Sequence, residues 1–112
     1  MPRYIAFVHK IIKARQGNEF FEAFDFLSFS LAGKSARCQV REEFGGKVIF
    51  TFQTSDSTIL ISGNVLTLYS TAANFTIPVG DWVYDIELFT NANDVQTMIE
   101  GTFEVIDQVT KL

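Results

Sequence analysis

Apolar and polar residues alternate along most of this chain. In DWVYDIELF (81–89), Trp82, Tyr84, Ile86 and Leu88 share one side of an extended backbone, while Val83, Asp85, Glu87 and Phe89 share the other. In KSARCQVR (34–41), Ala36, Cys38 and Val40 face one way and Arg37, Gln39 and Arg41 the other. KVIFTFQ (47–53) places Val48, Phe50 and Phe52 inward against Ile49, Thr51 and Gln53. A period of two with one polar face marks a half-buried antiparallel strand, and Phe, Val, Ile, Thr and Tyr suit its pleated surface.

The same pattern predicts strands over residues 4–13, 19–27, 34–41, 47–53, 58–61, 65–69, 81–89 and 95–106. Gln16-Gly17-Asn18, Gly45-Gly46 and 91–94 supply turn residues between them. FFEAFDFLSF (20–29) is the best helical competitor, but its aromatics at every second or third position fit a strand better. A turn or short helical piece is expected at 71–75. Strands at this spacing predict an all-β fold, an antiparallel sandwich of about seven to nine strands.

At 112 residues the chain is of single-domain size. A domain this long buries roughly 65% of the surface its unfolded chain exposes, so it needs neither metal nor disulfide to hold a core. Twelve phenylalanines exceed what a small two-layer core readily holds, so some rings are expected against a neighbouring subunit. No apolar run reaches the ~18 residues of a membrane-spanning helix. The opening MPRYIAFVHKIIKARQ is interrupted by His9 and Lys10 and lacks a small-residue cleavage site, unlike a secretory signal. A single cysteine, Cys38, excludes an internal disulfide and suits a reducing cytoplasm. Net charge is −4, and no Lys or Arg occurs between Thr51 and Thr110, which makes a poor nucleic-acid surface.

Candidate chemistry is sparse. His9 lies in an apolar run with no Asp, Ser or Cys near it in sequence to form a triad. One His and one Cys leave a zinc site short of ligands. NAND (91–94) is shorter than a calcium-binding hand loop and lacks its closing Glu, so it reads as a hairpin turn. Asp85 and Glu87 are spaced as a paired-carboxylate site would be. Any two residues of one strand face satisfy that spacing, and the pair reads as a wetted or subunit-facing surface opposite Arg37 or Arg41. No catalytic residue, cofactor or metal site is assigned.

VYDIEL…DVQTMIEGTFEVIDQVTK resembles the C-terminal hairpin of a small immunoglobulin-like domain of tailed-bacteriophage and prophage virion proteins. That family runs from a Tyr-Asp-Leu strand to one ending in Gly, then an apolar run closing on Val-Thr-Arg/Lys. The matching positions here are Tyr84, Asp85, Ile86, Gly101, Phe103, Val105, Val109, Thr110 and Lys111. RQGNEFFEAFDF resembles the family's opening strand. SLAGKSARCQVRE resembles its Asp-Leu-Thr-Gly…Ala-x-x-Arg strand through Leu31, Gly33, Ala36, Val40 and Arg41, with Ser30 where the family has Asp. The likeness covers residues 15–111.

The resemblance implies a non-enzymatic immunoglobulin-like sandwich over residues 15–112, preceded by an apolar N-terminal strand or arm over 1–14. In baseplate proteins a long C-terminal part follows such a domain, whereas this chain closes at Leu112. The expectation is therefore a stand-alone virion component, made in the bacterial host cytoplasm: a tail or baseplate adaptor, a head-fibre base or a capsid decoration. Its partners would be other virion proteins and further copies of itself, in a homo-oligomer such as a trimer. Neither nucleic acid nor membrane is expected as a partner. Tyr4, Ile5, Phe7, Val8 and Ile11 are the subunit-interface candidates, because an apolar edge strand invites pairing. The alternative is a carbohydrate- or receptor-binding module with Trp82, Tyr69 or Phe75 as stacking platforms.

Overall fold

A computed structural model describes residues 8–26, 30–91 and 93–107. Within them lie nine strands: β1 (Val8–His9), β2 (Ile12–Arg15), β3 (Phe20–Asp25), β4 (Ser35–Arg41), β5 (Val48–Gln53), β6 (Ile59–Ser62), β7 (Val65–Ser70), β8 (Gly80–Phe89) and β9 (Gln96–Ile106). The larger sheet runs β5-β4-β8-β9, with β1 and β2 following one another along the free side of β9; the smaller runs β3-β7-β6. Every pairing is antiparallel except those of β1 and β2, which run parallel to β9. The two sheets enclose one core, and the fold is an all-β sandwich, antiparallel apart from β1 and β2.

The core is built from the alternating faces. Ala36, Cys38 and Val40 of β4, Tyr84, Ile86 and Leu88 of β8, and Phe103 and Val105 of β9 are all buried. Phe20, Phe52, Phe75 and Phe103 form an aromatic cluster with ring centroids 5.1 to 6.5 Å apart. Offset and tilted rings at such distances are the preferred aromatic arrangement. Phe24 and Phe26 are also buried, so among the described residues the core takes up six phenylalanines, whereas Phe21 and Phe44 remain exposed.

Local chemistry departs from simple alternation at three places. The segment expected as one strand over 4–13 is two short strands in the described residues, interrupted at Lys10 and Ile11, and β2 continues to Arg15. Ile12 and Ala14 of β2 are buried in the core. A bulge in β5 sets Val48 opposite Arg41 and Phe50 opposite Val40, so Ile49 rather than Val48 packs on the core. This reverses the expected facing of those two residues, because one extra residue flips the pleat. A second irregularity pairs Ile86 with Ile99 but Glu87 with Thr97, leaving Met98 extra, and both Met98 and Ile99 are buried. Between β5 and β6 a 3-10 turn, Thr54–Asp56, closes on Ser57 in the left-handed region (φ 66). Hydrogen bonds from Thr58 to Asp56 hold it.

Candidate functional site

The outer face of the larger sheet carries its charges as a ladder. Arg37 stands opposite Glu87, and its Nε and Nη2 donate to Oε1 at 3.1 and 2.6 Å. The guanidinium also lies 5.2 Å from the Phe89 ring centroid. Asp85 sits opposite Gln39 on one side and Glu100 on the other. Burial raises its carboxyl above the usual range, the Glu87 charge adds to this, and Arg41 offsets part of it. The expected facing of Glu87 and Arg37 is therefore met, while Asp85 has Gln39 rather than an arginine across from it. A ladder of this kind binds strands to one another, and at its Arg37–Phe89 end an open groove of about 320 Å³ is lined also by Thr90, Asn91 and Val95.

Cys38 is fully buried between Ala36 and Val40, and burial, then the Asp85 charge, pushes its thiol well up. A thiol so placed behaves as a small hydrophobe. Among the described residues, no group of three or more His, Cys, Asp or Glu side chains is arranged to hold a metal ion. At the hairpin tip, Asp94 accepts from the backbone N–H groups of Thr90 and Asn91 at 2.8 and 3.0 Å. Those bonds hold its carboxyl at about 2. Asp94 is a turn-closing residue.

The smaller sheet presents a different outer face. Phe21, Ala23 and Asp25 of β3 register with Tyr69, Thr67 and Val65 of β7, and Leu60 of β6 lies on the other side of Thr67. Phe21 is 61% and Leu60 51% exposed. The Phe21 and Tyr69 rings lie 5.0 Å apart, and the Tyr69 hydroxyl donates to Glu19. β3, β6 and β7 contain neither Lys nor Arg. Of the three proposed stacking platforms only Tyr69 lies on this face. Phe75 belongs to the core, and Trp82 is half-buried with its indole N–H donating to the Pro78 carbonyl at 2.8 Å.

The third feature lies where Lys10 and β2 face β3. Glu22 shares the inward side of β3 with the buried Phe20 and Phe24, and Lys10 reaches it from the other sheet at 2.9 Å. The Lys10 ammonium also lies 4.6 Å from the Phe24 ring centroid. Behind it, the buried Tyr84 hydroxyl donates to the Lys10 carbonyl at 2.9 Å. Tyr84 stands opposite Gly101, whose missing side chain lets the Lys10 backbone lie against it. On either side of the Lys10–Glu22 pair lie grooves of about 210 and 340 Å³, the first walled by Phe24, Phe26, Met98 and Ile99, the second by Phe20, Phe21, Lys13 and Arg15.

Of the interface candidates, Tyr4, Ile5 and Phe7 lie outside the described residues. Val8 belongs to β1 and pairs with Ile99, and Ile11 is 58% exposed. The exposed pair Phe21 and Leu60 was not singled out from the sequence. FFEAFDF read in alternation puts Phe21 opposite in sense to Phe20 and Phe24, which was the available signal.

No protein-family model matches this chain, and no curated protein does. Among solved structures it is similar to Drosophila OTK, extracellular domains 3–5, at 17% identity and a TM-score of 0.36. The alignment covers 94% of this chain and 35% of that one, so the chain spans about a third of that structure's length.

Proposed function

We propose that this chain is a non-enzymatic structural component of a tailed bacteriophage or prophage particle, working through contacts between subunits. The observation that carries the subunit role is the outer face of the smaller sheet, with Phe21 and Leu60 in water, Tyr69 half-buried beside Phe21, and no cation among its strands. Covering a side chain such as Phe or Leu is worth about 1.5–3 kcal/mol, and contiguous exposed apolar residues mark an interaction surface. The placement in a virion rests on the resemblance of residues 15–111 to the phage domain, and the sandwich is the fold which that resemblance implies. A tail or baseplate adaptor, a head-fibre base and a capsid decoration are the roles it fits.

The face is tested by sedimentation velocity over rising concentration, comparing the natural chain with Phe21→Ser/Leu60→Ser. Both side chains point outward, so the double variant should fold unchanged by circular dichroism. The natural chain should associate and the variant remain monomeric. If the natural chain stays monomeric at the highest concentration and binds a glycan through Tyr69, the subunit role is overturned in favour of a carbohydrate-binding module.

A further inference from the structure

We propose that the end of the sandwich carrying Phe44 is a two-fold interface, on which a second copy of this chain docks with the same end. The proposal rests on the subunit reading above and adds a second contact, which shares Phe21 with the face.

Strand register assembles this end. Arg41 of β4 stands opposite Val48 of β5 and Val83 of β8, Gly80 of β8 opposite Val105 of β9, and Ile106 of β9 opposite Arg15 of β2. The turns at 16–19 and 42–47 and the entry to β8 therefore lie together. Phe44, Val79 and Ile106 gather there, 53, 48 and 43% exposed. Phe44 is held firmly. The Gly46 N–H donates to the Glu43 carbonyl at 2.8 Å and the Glu42 N–H to the Lys47 carbonyl at 3.1 Å, while Arg41 Nη1 donates to the Gly46 carbonyl at 2.6 Å. Gly45, at φ 79, supplies the left-handed residue of this turn. An aromatic ring kept in water on a fixed turn suits an interface anchor, because little ordering entropy is left to lose.

The same end holds the matching surface. Beside Ile106 lies the groove of about 340 Å³ that Lys13, Arg15, Phe20 and Phe21 also line. Strands lie about 4.8 Å apart, so β8 and β9 set β2 about 14 Å from β4. Glu42 and Glu43 are exposed beside the ring, and Lys13 and Arg15 are exposed beside the groove. Among the described residues none of the four forms an ion pair. Arg41 is turned back onto Gly46 and Gln39, so acids lead on the hairpin side even with Lys47 next to them. On the groove side Glu19 is engaged by the Tyr69 hydroxyl, and Lys13 and Arg15 outnumber the neighbouring Glu104.

Symmetry selects the occupant. Ring and groove, acid and base, share one end and lie on opposite sides of it. A two-fold axis across this end, normal to the sheet and passing between β8 and β9, lays the acidic side of each copy on the basic side of the other. Such a self-complementary patch makes the isologous interface of a closed dimer. A head-to-tail array would need the two halves at opposite ends.

The test is sedimentation velocity over rising concentration, with every variant made in a Leu60→Ser chain, which weakens the face and leaves this end untouched. Leu60→Ser alone should form dimers. Adding Phe44→Ser should raise their dissociation constant about tenfold or more, with the circular dichroism spectrum unchanged. Glu42→Lys/Glu43→Lys and Lys13→Glu/Arg15→Glu should each be monomeric by themselves. Their equimolar mixture should form dimers and nothing larger, because only unlike copies then match on both sides. A mixture that stays monomeric, or grows beyond dimers, overturns the two-fold contact. Association of the natural chain that is lost in Leu60→Ser leaves the subunit reading standing without this end. Dimers identical in the natural chain and Leu60→Ser, and lost with Phe44→Ser, support the end contact and remove the face.

Discussion

Gly101→Ala should be among the most damaging single-methyl additions to this fold. An added Cβ would lie 2.9 Å from the Lys10 carbonyl carbon and 3.0 Å from its nitrogen, and closer still to the carbonyl oxygen. Those atoms are backbone, so the β1–β2 strand must withdraw rather than a side chain rotate. Ordinary contact begins near 3.4 Å, so the carbon alone requires a shift of at least ~0.5 Å. That movement loosens two bonds made at the same place, Tyr84 Oη to the Lys10 carbonyl at 2.9 Å and Lys10 N–H to the Glu100 carbonyl at 3.2 Å. Overpacking costs about 1–3 kcal/mol, and a weakened hydrogen bond adds about 1 kcal/mol. Gly101→Ala should therefore cost about 2–4 kcal/mol, and Gly101→Val at least as much. For a domain of this length, that lowers Tm by roughly 8–16 °C. Urea denaturation of Gly101→Ala, Tyr84→Phe and the double variant gives the numbers. The two changes share the Lys10 carbonyl, so the double variant should cost about 1 kcal/mol less than the sum. A Gly101→Ala cost below about 0.5 kcal/mol, additive with Tyr84→Phe, would refute the close approach.

Other outcomes follow from the charges and the thiol. Asp85→Asn should be neutral to stabilising at pH 7. A carboxyl raised in the fold contributes stability below its unfolded value and loses it as pH rises through the folded one, so the difference should vanish near pH 3 in thermal melts. Glu87→Gln, which breaks the bond to Arg37, should instead cost about 0.2–1 kcal/mol, measured by urea titration. Together the two changes should leave Tm nearly unmoved, and a fall of many degrees would refute the facing assigned to them. Asp94→Ala should lower Tm at pH 7. Because the folded carboxyl is held at about 2, that loss should shrink as pH falls from about 4 towards 2. Cys38 should stay silent to an aromatic disulfide reagent in the native protein and react stoichiometrically in denaturant; rapid native labelling would contradict its burial.

The strands were legible because each carries its own period of two. β4, β8 and β9 lie within one residue or so of where alternation predicts them. A glycine late in a strand marks a bulge or a close backbone approach; at Gly101 it is the approach of the Lys10 backbone, while the extra residue nearby is Met98. The facing of Val48 and Ile49 was not, because both are apolar and only the pairing with β4 reveals the bulge. Lys10 and Glu22 form a pair twelve positions apart, across two sheets, and sequence spacing says nothing of such contacts. Glu22 does stand on the Phe20–Phe24 side in the pattern itself, and an acid on an inward face calls for a partner. Tyr84 likewise needed an acceptor once buried, but the Lys10 carbonyl became its acceptor only through the gap left by Gly101.

The proposed role is tested most directly by finding where the chain resides after lytic growth of the encoding host. Particles banded on a density gradient, stripped of loosely held protein by a salt wash and digested for mass spectrometry, should contain this chain in a fixed ratio to the major particle protein. The same fractions should lose it when Phe21 and Leu60 are both replaced by serine. A chain found only in the soluble fraction, with none in the washed particles, would contradict the account.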